Sequence, residues 1–307
     1  MRYTLDEIET FLAVIELGTI TAAAARLNLS KSVVSKRISD LERTLGVALF
    51  RRNAGRIIPT EAALRLDDRL RPALTALTAA AESAAWGGAR NDALRGTLSI
   101  TAPMSFGTLY LSPIIARFAA QHPELDLRID YDDRARDLLR EGFDIAIRIG
   151  HLRDTALMQR KLCEAETIAC ASPAYLDRHG RPTGLADLVD HEVIGYSHVS
   201  NAQLWKTGKN VPPTLHGRIT LNNGEAIRDM AIEGLGLAIL PSFIANPAIE
   251  KGQLEHIPLE TESRKMPIVA VWPPVSPMPP KLRRFIDHLL RELDGGVLWQ
   301  SKADARP

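Results

Sequence analysis

The stretch Thr21–Gly46, "TAAAARLNLSKSVVSKRISDLERTLG", sets four consecutive alanines before a short break and a basic segment. Ala23 and Ala24 present almost no side chain on one face, which allows another helix to approach closely. The break at 28–30 suits a turn, because asparagine tolerates turn dihedrals and Ser30 can accept a hydrogen bond from the first amides of a following helix. The stretch therefore predicts two helices joined by a three-residue turn.

The second of these helices has two unlike faces. Its apolar face carries Val34, Ile38, Leu41 and Leu45. Residues two positions earlier lie about 200° round the axis and therefore on the opposite face, and these are Ser32, Lys36, Ser39 and Arg43. One face packs in a core, and the other is suited to an anionic surface. Small polar and basic residues at the start of the second helix are typical of a helix-turn-helix that docks in the DNA major groove.

The flanking sequence supports this assignment. Apolar residues at helical spacing from Leu5 to Ile15, followed by Gly18 at a C-cap position, predict a preceding helix. From Arg26 to Thr60 the chain has eight basic residues and two acidic ones, although its net charge is only +1. The positive charge that could bind a polyanion is therefore concentrated in this part of the chain.

Residues 11–52, "FLAVIELGTITAAAARLNLSKSVVSKRISDLERTLGVALFRR", resemble the N-terminal domain of the LysR-type transcriptional regulators. Two positions depart from the family pattern. Lys31 stands where the family most often has glutamine, and "RIIPTEAAL" has Pro59 and Ala63 where leucine and glycine are usual after the wing. The resemblance implies a winged helix-turn-helix over residues 1–60 that binds double-stranded DNA.

The helix face and the resemblance together predict a set of DNA-binding residues: Lys31, Ser32, Val33, Ser35, Lys36, Arg37, Arg51, Arg52 and Arg56. For Lys31 two roles stay open. Its donors suit the O6 and N7 acceptors of guanine, and they equally suit a phosphate.

After Thr60 the apolar residues alternate steps of three and four, the pattern of a coiled-coil seam. The predicted seam comprises Ala63, Leu66, Leu70, Ala73, Leu77, Ala80 and Ala84. We expect residues 61–87 to form a linker helix that dimerises, with a kink at Pro72, because an internal proline bends a helix. The resemblance implies a homotetramer that is a dimer of dimers.

The remaining two-thirds of the chain alternates strand and helix patterns. "GTLSITAP", "ELDLRIDY" and "FDIAIRIG" read as strands separated by helices, which predicts a β-α-β-α-β unit with parallel strands. A second such unit follows. The predicted fold class is thus α/β, with an all-α N-terminal winged helix-turn-helix. The strings "EGFDIAIRIG" and "EGLGLAILPSFIA" resemble the LysR-family effector domain of periplasmic-binding-protein type 2, implying subdomain I at 92–162 and 267–300 and subdomain II at 163–266.

Ligands of open α/β sheets bind beyond the carboxyl ends of the strands. That rule selects the predicted effector-binding residues Pro103, Ser105, Asp132, Arg148, Ser197, Asn223 and Gly224. Ser105 and Gly224 both precede helices, whose first amides favour a negatively charged group, so a small carboxylate is the expected effector. For Ser105, a role as a plain helix cap is as consistent with the sequence as a contact to the effector. For Arg148 the alternative is an ion pair with Asp132 or Asp133.

Other classes of protein lack support in the sequence. No apolar run approaches the roughly 20 residues that a membrane span needs, and the N-terminus has no pattern of a secretory signal. We therefore expect a cytoplasmic protein without a membrane partner. There is no phosphate loop, nucleophile elbow or metal-ligand spacing, so neither an enzyme nor a cofactor is expected. A small-molecule receptor without a gene-regulatory role is the alternative, and the basic helix-turn-helix argues against it.

Overall fold

The computed structural model describes residues 3–53, 56–86, 93–134, 136–150, 156–197, 217–259 and 264–293. The chain divides into two compact units. The first comprises residues 1–89, 137–142 and 275–279, and the second comprises the remainder.

The first unit is built mainly from helices. These are α1 (Leu5–Leu17), α2 (Ile20–Arg26), α3 (Lys31–Leu45), α4 (Glu61–Trp86) and the short α7 (Leu138–Glu141). The strands β1 (Phe50–Asn53) and β2 (Arg56–Pro59) pair in antiparallel fashion as a hairpin, the wing. The predicted winged helix-turn-helix is confirmed.

Local capping sets the ends of the helices. Gly18 ends α1 in the left-handed conformation, with a φ of 68°. Ser30 caps α3, since its Oγ accepts from the Val33 N–H at 3.3 Å. Asn28 adopts a φ of 53°, a conformation that asparagine tolerates better than most residues. The turn runs from Leu27 to Ser30, one residue longer than expected.

The core of this unit lies between α1, α2 and α3. Phe11, Val34 and Leu41 have no exposed surface, and each such side chain contributes roughly 1.5–3 kcal/mol by leaving water. Ala23 is fully buried and Ala24 nearly so, which is the role predicted for the alanines.

Helix α4 is one continuous element from Glu61 to Trp86, through Pro72; the kink expected there stays a prediction. The predicted seam does not form a single surface. Ala63 belongs to the core of the winged helix-turn-helix, and Leu66 and Leu70 pack against that core. Leu77, by contrast, is 53% exposed. Ala73 and Ala80 are exposed as well, and the side chain of Ala84 lies outside the described residues.

The second unit is built round one mixed sheet. Its strands are β3 (Gly96–Ala102), β4 (Leu125–Tyr131), β5 (Ile145–Ile149), β6 (Met158–Ala171), β9 (Ala238–Pro241), β10 (Glu255–Ile257) and β11 (Arg264–Trp272). The order is β10-β6-β11-β5-β3-β4, and β9 also pairs with β6. The predicted parallel pairing of β3 with β4 and β5 is confirmed.

The helices of the second unit are α5 (Met104–Phe106), α6 (Ser112–Gln121), α8 (Pro173–His179), α9 (Gly224–Ile232), α10 (Ser242–Glu250) and α11 (Pro280–Leu293). A π-helical turn at Gly107–Leu111 joins α5 to α6, and a 3₁₀ turn spans Ala186–Asp190. The short strands β7 (Gly195–Tyr196) and β8 (Thr220–Leu221) pair separately in parallel.

The sheet connects two lobes. The first lobe surrounds β3–β5, and the second surrounds β7–β10. The long strand β6 pairs with β11 over most of its length and with β9 and β10 near its end, so it runs through both lobes. The two predicted α/β subdomains are thus confirmed as an arrangement, and their boundary between 162 and 163 stays a prediction.

Within the described part of the chain, we find no helix that is both long and apolar enough to cross a membrane.

Candidate nucleic-acid interface and effector cleft

The exposed face of α3 carries four of the predicted DNA-binding residues. Lys31, Ser32, Val33 and Lys36 are all exposed, and Ser35 beside them is half-buried. Ser32 Oγ lies 2.8 Å from the Ser30 Oγ, which fixes its orientation at the start of the helix. This face can therefore meet a groove of DNA with small polar groups and two lysines.

Arg37 is placed differently from the other predicted contacts. Its Nη2 bonds to the carboxylate of Asp6, and its Nη1 donates to Thr10 Oγ1 at 3.3 Å. Both partners belong to α1. The role of Arg37 as a DNA contact stays a prediction; in this structure the fold brings a carboxylate of the neighbouring helix within its reach.

The wing follows α3 and is joined to it by one carboxylate. Glu42 Oε1 accepts from the N–H groups of Leu49 and Phe50, at 2.8 and 3.0 Å. Arg51 on β1 is exposed. Arg52 and Arg56 lie in β1 and β2, and their side chains are outside the described residues.

The predicted effector cleft lies between the two lobes. Ser105 is 4% exposed, and its Oγ has no hydrogen-bond partner. A Cβ atom added at Gly224 would lie 3.7 Å from that Oγ, so the fold brings the start of α9 against Ser105. The Asn223 Oδ1 caps α9 by accepting from the Ala226 N–H at 2.9 Å. Ser105 therefore lies beside the start of α9, and the roles of Ser105, Asn223 and Gly224 in effector binding stay predictions. Pro103 immediately precedes α5 and is half-buried.

Asp133 and Tyr196, which the sequence did not assign to the effector site, join the two lobes. Asp133 Oδ1 accepts from the Met104 N–H at 2.8 Å, and its Oδ2 accepts from the Tyr196 hydroxyl at 2.9 Å. Burial, reinforced by the Asp133 charge, raises the pKa of Tyr196 well above its usual value, so Tyr196 stays protonated and donates. The only signal in the sequence was the adjacent pair Asp132–Asp133 after β4.

A second connection between the lobes is aromatic. The Tyr110 hydroxyl donates to the Phe243 carbonyl at 3.0 Å, and the Phe106 ring meets the Phe243 ring edge to face at 5.6 Å. Thr108 and Glu225 approach to 3.5 Å beside them. Ser105 is thus buried where the two lobes are in contact.

Asp132 and Arg148 shape a loop of the first lobe. The Arg134 guanidinium bonds to both carboxylate oxygens of Asp132 and, with Arg136, holds the pKa of Asp132 down at about 2. Arg148 donates to the backbone carbonyls of Arg134 and Arg136, at 3.2 and 3.0 Å. Arg148 thus bonds to two backbone carbonyls of this loop, and its predicted role in effector binding stays a prediction.

Ser197 is the last of the predicted effector-binding residues. Ser197 is exposed, and its N–H donates to the Leu221 carbonyl at 2.8 Å, which extends the β7–β8 pairing. Cys163 and Cys170 are buried free thiols, and burial raises the pKa of each to about 12. The described residues contain no cluster of three or more histidine, cysteine or acidic side chains that could hold a metal ion.

These features define a class of protein, a helix-turn-helix DNA-binding protein with a two-lobed ligand-binding domain. Residues 5–64 match the family of bacterial regulatory helix-turn-helix proteins of lysR type, and residues 91–294 match the LysR substrate binding domain. The chain belongs to the LysR family of transcriptional regulators. Members bind DNA through the first domain, respond to small molecules through the second and form oligomers.

Proteins of known sequence or structure match this chain over nearly its whole length. An HTH-type transcriptional regulator of Haemophilus influenzae is 36% identical over 273 residues, covering 88% of this chain and 93% of that protein. The regulator PtxR of Pseudomonas aeruginosa is 32% identical, covering 94% and 93%. The full-length structure of the Vibrio cholerae virulence activator AphB matches with a TM-score of 0.61 at 26% identity, covering 94% of this chain and 99% of that one.

Proposed function

We propose that the effector is a small carboxylate, bound between the lobes by Ser105 and the start of α9. The observation that carries this proposal is the buried Ser105 Oγ without a partner. A buried hydroxyl left unpaired costs roughly 1–3 kcal/mol, and a ligand that accepts its hydrogen would remove that cost.

An anion suits the other half of the site. The start of α9 lies against Ser105, since a Cβ atom added at Gly224 would be 3.7 Å from the Ser105 Oγ. A helix N-terminus carries about half a positive charge. The amide of Met104 is already taken by the Asp133 carboxylate. The proposed carboxylate therefore uses Ser105 Oγ, Asn223 and the Gly224 end of α9, with Pro103 and Ser197 at the rim. Asp132 and Arg148 act by shaping the adjoining loop.

The regulatory mechanism we propose is linkage. A ligand that binds one closure of the lobes more tightly than another shifts the population of that closure. In a dimer of dimers this shift changes the spacing of the DNA-binding domains and the bend they impose on DNA. Such a protein works in the cytoplasm, where the chromosome is, and it needs no catalytic activity.

The test is ligand binding by the full chain. We expect acetate, benzoate or succinate to raise the melting temperature of the wild-type protein, and Ser105→Ala to abolish that rise. Thr97→Ala, at the opposite end of β3, is the matched control and should respond like wild type. An equal rise in wild type and Ser105→Ala, or no rise in wild type, would contradict the proposal.

A further inference from the structure

Two charged side chains of α3, Arg37 and Glu42, form hydrogen bonds to other elements of the DNA-binding domain. We propose that Arg37 and Glu42 are positioning residues. They hold α3 against α1 on one side and against the wing on the other, and the choice of binding site depends on them while general attraction to DNA does not.

The Arg37 contact joins α3 to the first turn of α1. Both terminal nitrogens of its guanidinium are engaged, one by the Asp6 carboxylate and the other by Thr10 Oγ1. Thr10 is fully buried, and its hydroxyl donates to the Asp6 carbonyl at 2.6 Å, so the anchor is itself fixed. Asp6 also lies where the dipole of α1 favours a negative charge. Two separate contacts restrict rotation of α3 about its own axis.

The Glu42 contact joins α3 to the wing. A single oxygen, Oε1, accepts from two consecutive N–H groups that lead into β1. Leu49, which carries the first of these amides, is fully buried. Hydrogen bonds to a carboxylate are roughly twice as strong as neutral ones. Glu42 therefore fixes where the wing, with the exposed Arg51, stands relative to α3.

The two contacts act on geometry and leave the positive surface intact. Lys31, Lys36 and Arg51 are exposed and take no part in either contact. Phosphate attraction depends on the number of cations that reach the backbone, whereas base reading depends on the alignment of donors and acceptors. Loss of Arg37 or Glu42 should therefore lower specific affinity selectively.

The first experiment compares Arg37→Ala with Lys36→Ala in the full-length protein. Affinities are measured over a range of salt for a site selected from random DNA by the wild type, and for an unrelated duplex. We expect Arg37→Ala to lose about tenfold in affinity for the selected site, as for a lost base contact, with the unrelated duplex and the salt slope unchanged. Lys36→Ala should weaken binding to both the selected site and the unrelated duplex. It should also reduce the slope of log affinity against log salt concentration by about one.

Asp6→Ala is the second variant, because it removes the acceptor, leaves Arg37 in place and so separates positioning from direct contact. It should reproduce the loss seen with Arg37→Ala, and the double variant should lose no more than either single one. A shallower salt slope for Arg37→Ala, or an Asp6→Ala protein that binds the selected site normally, would overturn the proposal for Arg37. Melting temperatures establish that each variant is folded at the assay temperature.

The Glu42 contact is tested by comparing Glu42→Ala, which removes the acceptor, with Glu42→Gln, which keeps one. Because one oxygen accepts both hydrogen bonds, the amide oxygen of Glu42→Gln can replace it. We expect Glu42→Gln to bind the selected site like wild type and Glu42→Ala to lose about tenfold, with the unrelated duplex unaffected in both. Equal behaviour of the two variants would overturn the proposal for Glu42, since the charge and not the hydrogen bonds would then be responsible.

Discussion

Lys31 is the first residue of α3, and its ammonium group is exposed. It lies where the residues of a recognition helix reach the edges of bases. An ammonium group offers only donors, so it matches the two acceptors of guanine and cannot match the donor and acceptor of adenine. Within the described residues it forms no ion pair that would hold it away from DNA.

We expect Lys31→Gln to change the preferred base at one position in each half-site. The penalty on the original sequence should be about 1–3 kcal/mol, because glutamine suits adenine. Selection of sites from random DNA by both proteins measures this. If lysine contacts a phosphate instead, the selected sequences will be identical and the salt slope shallower.

The two cysteines should be chemically silent in the folded protein. The thiolate is the reactive form, and burial raises the pKa of both thiols to about 12, so almost none is ionised at pH 8. We expect Ellman's reagent to detect neither thiol in the native protein and both after denaturation. Ser197→Cys, at an exposed position, is the positive control. Rapid native labelling of two thiols in the wild type would contradict this expectation.

At the scale of elements, α4 serves two purposes along its length. Its first half packs on the winged helix-turn-helix through Ala63, Leu66 and Leu70. On the same half, Asp67 and Arg71 form an ion pair at 2.8 Å, and Arg71 lies 3.8 Å from Glu16 of α1. In the second half, Ala73, Leu77 and Ala80 of the predicted seam are exposed. We therefore predict that α4 dimerises through residues after Pro72.

We predict that Leu77→Lys yields monomers with an unchanged melting transition of the DNA-binding domain. Leu77 is 53% exposed, so a lysine there adds charge to the predicted interface and disturbs little packing within the chain. Leu70→Lys, in contrast, should lower the melting temperature, because Leu70 packs against the core. Light scattering and calorimetry distinguish the two. A Leu77→Lys protein with the wild-type mass would refute the seam.

At the scale of the whole molecule, the two domains communicate if the effector shifts one equilibrium that both share. Linkage then requires that the effector change DNA affinity by the same factor as DNA changes effector affinity. The Asp133–Tyr196 and Tyr110–Phe243 hydrogen bonds join the two lobes, so we expect an alternative closure to exchange them.

We expect Ser105→Ala to bind the selected DNA site as tightly as wild type when no carboxylate is present. A carboxylate that raises the wild-type melting temperature should alter the wild-type footprint on that DNA and leave the footprint of Ser105→Ala unchanged. Footprinting with and without that carboxylate is the measurement. Loss of DNA binding by Ser105→Ala alone would show that the residue serves the fold.

The sequence by itself determined the features that local spacing encodes. The helix-turn-helix was predictable because capping residues and the period of apolar side chains act within four residues, as at Ser30 and Gly18. The parallel strands β3–β5 were predictable because their alternation and length are local as well. Ser105 and Gly224 were predictable as neighbours, since the ends of strands in such sheets converge on one edge.

The tertiary structure alone decided which partner each polar side chain meets. Arg37 lies one helical step from Lys36, yet it bonds to Asp6, 31 residues away in the chain. Tyr196 and Asp133 are 63 residues apart. Leu70 and Leu77 occupy equivalent seam positions, but only Leu70 packs on the core. Periodicity specifies the face of a helix on which a residue lies, and only the packing of distant segments determines what that face contacts.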